Sequence, residues 1–249
     1  MTTTQLFQKF YDCIENTIAN NKNFLFSIFA TWFALIITIL DFKEFQDCLI
    51  SVSGILMLAA LIRYTRALTN GDKQPSNTTW LIWAALDSII LAGMIMKGTQ
   101  NAQIIAATIG VWILFLTSLR HGGIWGMKKR DLEFWVNISC IVGVVFSVSL
   151  GYAFGSPTTS IVIGLIFLFI GGFPTFLSAW KEPKNEDTPA WVIFWISAAF
   201  STIAIPVLTI EDAGQPLTFL VIETLALGII LFRTFIKKPG RNLIWPEDE

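Results

Sequence analysis

The stretch Thr78–Lys97 limits the possible folds of this chain most, because a run of about 20 apolar residues is long enough to cross a lipid bilayer as one helix. It contains a single acid, Asp87, which lies roughly 13 Å into such a helix and so near the bilayer centre. An ionised carboxylate there costs about 2.5–3.5 kcal/mol on insertion scales. We therefore expect Asp87 to face a bundle interior, either on a transport or signalling path or as a structural acid.

The rest of the chain has the composition of a membrane protein. Of its 249 residues, 54% are hydrophobic and only 14% are charged, whereas soluble domains have about 25% charged residues. The sequence predicts an all-α integral membrane protein with eight transmembrane helices, because eight apolar runs approach the spanning length. These runs cover residues 24–41, 47–68, 78–97, 102–119, 133–153, 159–180, 190–210 and 216–236.

Basic residues are spread unevenly over the connections between the runs. With eight spans, all of the 17 basic residues except Lys43 and Lys97 fall on one side. The positive-inside rule then puts both termini in the cytoplasm, with the protein in the cell membrane or an inner membrane. Residues 1–23 are interpreted as a cytoplasmic segment, either an amphipathic surface helix or a solvated leader.

Two windows of the chain indicate an internal repeat. Ile62–Ser88 aligns without gaps over Phe173–Ala199, so that Lys73 meets Lys184 and Trp80 meets Trp191. Each window contains a helix end, a polar loop with proline and a helix that begins with tryptophan. The shift maps the second and third runs onto the sixth and seventh, so the repeats would be parallel.

The sixth run ends in Gly172–Phe173–Pro174–Thr175, followed by a loop with lysine and proline and then by a helix led by tryptophan. This arrangement resembles the PQ-loop motif of the superfamily that includes the SWEET and SemiSWEET sugar transporters, to which the Pnu-type transporters are related. Thr175 stands where the motif has glutamine, and Arg63–Tyr64 replaces Pro–Gln in the first copy. The resemblance covers residues 47–236.

The resemblance implies a SWEET-like layout of two triple-helix bundles joined by a linker helix, with one extra N-terminal helix. The first bundle would be residues 47–119, and the second residues 154–236. The other segments would be the extra transmembrane helix at 24–46, the cytoplasmic loop and linker helix at 120–153, and a cytoplasmic tail at 237–249.

Glu223 is the second acid in the interior of an apolar run, away from the run ends. Two acids at comparable depth in different bundles suit proton coupling or the binding of a cationic or hydroxylated solute. The alternative is that each acid hydrogen-bonds a neighbouring helix as a structural contact. Asn137 in the fifth run is a further polar candidate for solute binding.

Tryptophans and prolines supply the remaining candidate residues. Trp83 and Trp195 are expected either to stack on a solute ring or to pack as core aromatics, while Trp80 and Trp191 fit an interfacial belt. The candidate hinges are Pro174, Gly172 and Pro206, because proline removes a helix hydrogen bond and glycine loosens the backbone beside it.

Arg63, at the end of its helix, is expected to extend to the interface, with an ion pair to Asp87 as the alternative. The single histidine, His121, lies in a loop, so the spans contain no histidine for a metal site or a Ser/His/Asp triad. The sequence therefore predicts no enzyme and no cofactor.

The sequence favours a carrier of a small polar solute, sugar-like or vitamin-precursor-like, that works by alternating access. The alternative is a membrane-embedded sensor or accessory protein without transport activity. The expected partners are membrane lipid and a small-molecule solute, with a proton and a second copy of the chain as further options, and nucleic acid is not expected.

Overall fold

The computed structural model describes residues 42–71, 77–120 and 155–236, together with the helical positions 135, 138–139, 141–146, 149 and 153. All regular structure in these residues is helical. The chain divides into two compact units, Met1–Asp47 and Cys48–Glu249. The packing and the site described below belong to the second unit.

Seven α-helices have described bounds: α1 Phe42–Thr69, α2 Asn77–Lys97, α3 Ala102–Arg120, α4 Pro157–Gly171, α5 Phe173–Lys181, α6 Thr188–Ile203 and α7 Ile210–Ile236, with a 3₁₀ turn at Pro183–Asn185. Five spans are long and apolar enough to cross a membrane, with α4 and α5 counted together as one, and α6 is a shorter apolar helix. This agrees with the predicted all-α membrane fold. The predicted span at 24–41 lies outside the described residues, and 133–153 is described only at separate helical positions. The count of eight therefore stays a prediction.

The turn between α2 and α3 follows from one glycine. Gly98 has φ +70°, a left-handed conformation that side chains disfavour. It lets the Gly98 amide donate to the Ile95 carbonyl (3.1 Å) and the Thr99 amide to the Met94 carbonyl (2.9 Å), as in a Schellman helix end. Asn101 then caps the N-terminus of α3, because its Oδ1 accepts the Ile104 amide at 3.0 Å.

The two prolines predicted as hinges differ in their place relative to the helices. The predicted sixth span is interrupted at Gly172, which lies between the end of α4 and the start of α5, and Pro174 is in the first turn of α5. The prediction that Pro206 interrupts a helix is wrong, since α6 ends at Ile203 and Pro206 lies in the connection to α7. The reason is that proline disfavours helical geometry at the residue before it, so the helix ends earlier.

Helix α2 is the centre of the packing. It packs extensively against α3 on one side and α4 on the other, while α7 packs against α6, α5 and α4. The approach of α2 to α4 depends on Gly93, where an added Cβ would lie 2.8 Å from Ile161 Cγ1. Small residues let apolar helices approach closely, and this contact joins the two segments predicted to form separate bundles.

Candidate functional site

A small internal cavity of about 50 Å³ lies among α1, α2, α3, α4, α6 and α7. All of the described side chains that line it are buried. Asp87 and Glu223, which the sequence assigned to different helices of two bundles, both line it. The cavity is therefore where the tertiary structure brings the two candidate acids together.

The two acids are almost inaccessible, with Asp87 2% exposed and Glu223 5% exposed. Asp87 Oδ1 and Glu223 Oε2 have no hydrogen-bond partner among the described residues. The two carboxyl groups interact electrostatically with each other. Buried carboxyl oxygens are normally satisfied by hydrogen bonds or opposite charge, so this pair indicates a site that receives a proton, a cation or a donor group.

Aromatic rings surround the acids. Trp80 and Trp83 of α2 make an edge-to-face pair with centroids 5.2 Å apart, and Trp191 and Phe194 of α6 make a second pair at 5.6 Å. All four line the cavity. Trp83 is buried and lines the cavity, which fits either of its two expected roles. Trp80 and Trp191 are buried in the core and not in an interfacial belt.

Trp195 is absent from the described lining of this cavity and is not buried as a core aromatic. It is 39% exposed, and its Nε1 donates to Thr224 Oγ1 at 2.9 Å. The reason is helical geometry, because Trp195 lies roughly 100° further round α6 than the cavity-lining Phe194. Asn137, the remaining predicted binding residue, falls outside the described residues.

On one side of the cavity is a group that we call the amide–hydroxyl layer, formed by Ser53, Asn101, Gln103, Ser197 and Gln215. Gln215 Nε2 donates to Gln103 Oε1 at 3.0 Å, and Gln103 Nε2 donates to Ser197 Oγ at 3.1 Å. Ser197 Oγ in turn donates to the Ser53 carbonyl at 2.9 Å. The chain of bonds links α1, α3, α6 and α7.

Asn101 extends the same layer towards the turn between α2 and α3. Its Nδ2 donates to Gln215 Oε1 at 2.9 Å. Ser53, Gln103, Ser197 and Gln215 are all fully buried, and such groups are costly to leave unpaired. These residues were not among the candidates predicted from the sequence, although the two glutamines within or beside apolar runs were a signal for them.

On the other side of the cavity is a second group, which we call the Glu186 layer. Glu186 Oε2 accepts hydrogen bonds from Tyr64 Oη and Trp191 Nε1, each at 2.9 Å. Beside it, Arg63 Nε contacts Asp187 Oδ1 at 3.2 Å. Arg63 is therefore paired with Asp187, not with Asp87.

Asp187 also begins α6, because its side chain accepts the Ala190 amide at 3.3 Å. The Glu186 layer thus ties the end of α1 to the start of α6. Its acids come from the connection after the 3₁₀ turn, which the sequence analysis interpreted only as a polar loop.

Along α1, the residues of the amide–hydroxyl layer, the cavity and the Glu186 layer follow one another in that order, and α3 and α7 have the first two in the same order. On α1, Ser53 precedes the cavity residue Met57 by one turn, and Tyr64 follows in the Glu186 layer. On α3 and α7, each glutamine precedes a cavity residue by one turn: Gln103 comes before Ala107, and Gln215 before Phe219. The acids therefore lie between two cross-linked layers.

Comparison of this chain with protein-family models, with curated proteins and with solved structures finds no match in any of the three. In the described part of the chain, no group of three or more His, Cys, Asp and Glu side chains is placed to hold a metal ion. The cavity and its flanking layers are therefore the features from which a function can be inferred.

Proposed function

We propose that this protein is a membrane carrier that moves a small polar solute by alternating access through the cavity containing Asp87 and Glu223. The proposal depends on the position of these two acids in a small cavity between two polar layers, each with a carboxyl oxygen that has no partner among the described residues. Ionisable groups within membrane spans are costly and are typically retained for binding or relay roles.

Both layers have the character expected of gates. Each joins helices from the two predicted bundles, and each consists mainly of individual hydrogen bonds, which contribute only about 0.5–1.5 kcal/mol apiece. Opening the Glu186 layer would separate Tyr64 from Glu186, and opening the amide–hydroxyl layer would separate Gln103 from Gln215. The break between α4 and α5 at Gly172 supplies a point of bending for such a movement.

The charge asymmetry of the sequence supports a cytoplasmic location for the Glu186 layer, with the amide–hydroxyl layer facing the opposite side. In this description both layers are closed in the observed conformation, since the hydrogen bonds of each are formed. A volume of about 50 Å³ has room for a few water-sized groups. A sugar or a vitamin precursor requires a larger cavity, which an open conformation would have to provide.

Alternating access can be tested before the solute is known. In a background with Cys13, Cys48 and Cys140 changed to serine, Ala107→Cys places one thiol at the cavity. A membrane-impermeant maleimide is then applied to vesicles of each orientation. Glu186→Gln is expected to increase labelling from the Glu186 side, and Gln103→Leu is expected to increase it from the other side. Each increase should be about tenfold, the population change produced by about 1.4 kcal/mol.

Two matched variants control for general loosening of the protein. Glu182→Gln changes an exposed acid near Glu186, and Thr224→Val removes an exposed hydroxyl bonded to Trp195. Neither is expected to change labelling. Labelling from one side only, in every variant, would contradict alternating access and favour the membrane sensor, which needs a ligand path from a single side.

A further inference from the structure

We propose that the cavity binds the head group of a small protonated amine, primary or secondary, held between Asp87 and Glu223. The proposal rests on the proposed function only in using the same cavity, because it concerns equilibrium binding and not movement across the membrane. The ligand class follows from what the lining offers and from what it lacks.

The lining offers acceptors for hydrogen bonds. Asp87 Oδ1 and Glu223 Oε2 are buried and without partners among the described residues, and both belong to the same small cavity. An ammonium group has two or three N–H donors on one compact centre. One such group can donate to both carboxyls at once, and hydrogen bonds between charged groups are stronger than neutral ones.

Donors for a solute are scarce in the described lining. Trp83 Nε1 already donates to the Leu168 carbonyl at 3.3 Å, and Trp191 Nε1 donates to Glu186. The other described lining side chains are apolar, apart from Trp80 and the two acids. A sugar hydroxyl needs partners that both donate and accept, so this lining suits a cationic donor better than a sugar.

The aromatic rings of the lining also favour the binding of a cation. Trp80, Trp83, Trp191 and Phe194 line the cavity, and the faces of aromatic rings attract ammonium groups, with tryptophan the most effective. A bare alkali cation would instead need several more oxygen ligands, which these rings do not supply. A quaternary ammonium has no N–H group for the two carboxyl oxygens, so it would lose the hydrogen bonds.

Charge balance also fits one monovalent amine. A single ammonium compensates one carboxylate, and the other carboxyl can remain neutral by keeping a proton. The volume of about 50 Å³ accommodates a methylammonium-sized head group, since one water needs about 10–15 Å³ of the same kind of volume.

The test is binding to the full-length protein purified in detergent, measured by thermal unfolding and by calorimetry. The probes are the chloride salts of methylammonium, ethylammonium, tetramethylammonium and sodium at equal concentration, with glucose as a neutral probe. The proposal expects the two N–H-bearing amines to raise the melting temperature, because a ligand that binds only the folded state stabilises it. The other three probes are expected to have no effect.

Two variants locate the site. Asp87→Asn and Glu223→Gln are each expected to weaken methylammonium binding about 10- to 100-fold, as the loss of a hydrogen bond to a charged group does. Glu44→Gln, an exposed acid on α1, serves as the matched control and should bind like the wild type. If one cavity variant does not fold, the other still decides the result.

The outcomes separate this inference from the carrier proposal. Amine binding that depends on either acid supports the inference, even if the amine is not taken up into liposomes. No amine binding, equal stabilisation by sodium or tetramethylammonium, or binding unchanged in both variants would overturn it. A glucose effect that depends on Asp87 would also overturn it while leaving the carrier proposal standing.

Discussion

Asp87 on α2 and Glu223 on α7 line one buried cavity, and each has a carboxyl oxygen without a hydrogen-bond partner among the described residues. Placing two acids in one cavity costs stability, because neither of these oxygens has a donor or an opposite charge among the described residues. Their energetic coupling can be measured.

The first prediction concerns that coupling in the absence of ligand. Asp87→Asn introduces an amide donor beside Glu223 and removes one of two interacting acids, so we expect it to raise the free energy of unfolding by about 1 kcal/mol. In the double variant with Glu223→Gln, the effects should deviate from additivity by about 0.5–3 kcal/mol, as for residues in contact. Denaturant unfolding in detergent measures all three variants, and additive effects would show that the acids are independent.

The second prediction concerns the Glu186 layer. Glu186→Gln should lower the free energy of unfolding by about 1–3 kcal/mol, because Tyr64 Oη and Trp191 Nε1 both donate to one carboxylate oxygen. Glu182→Gln, four residues earlier and exposed, should stay within about 0.5 kcal/mol of the wild type. Equal stability of the two variants would remove the structural argument for this layer.

The third prediction concerns the amide–hydroxyl layer. Gln103→Leu or Gln215→Leu alone should lower the free energy of unfolding by about 1–3 kcal/mol, since each leaves buried partners unpaired. The double variant should be less destabilised than the sum of the two single variants, because it removes both ends of the Gln103–Gln215 bond. Thermal unfolding of the three variants checks this, and strict additivity would contradict the contact.

The fourth prediction concerns the approach of α2 to α4. Gly93→Ala should lower the free energy of unfolding by about 1–3 kcal/mol, because the new methyl group would lie 2.8 Å from Ile161 Cγ1 and 3.2 Å from the Pro157 carbonyl. Gly228→Ala on α7 is the matched control. Nothing lies within 4 Å of its added Cβ, and alanine favours a helix by about 0.5–1 kcal/mol over glycine. Destabilisation of both variants alike would point to a backbone effect in place of helix contact.

Single residues show how much of the site the sequence allowed us to predict. The burial of Asp87 and Glu223 followed from local energetics, because a carboxylate within an apolar run must avoid lipid. Trp83 lines the same cavity as Asp87 because it lies about one turn before Asp87 on the same helix face, and its role in binding stays a prediction. Trp195 was chosen for its residue type, one turn after Trp191, whereas the repeat alignment pairs Trp83 with Phe194, which lines the cavity.

The sequence by itself determined that this chain forms apolar helices of membrane-spanning length, because length and hydropathy are local properties. It also determined the tight turn after Lys97, where Gly98 adopts its left-handed conformation. Only the tertiary structure decided which faces meet. Helices that are apolar on all sides have no polar stripe to mark an inward face, so packing alone brought Trp80, Trp191 and the two acids to one cavity and placed Glu186 beside Tyr64.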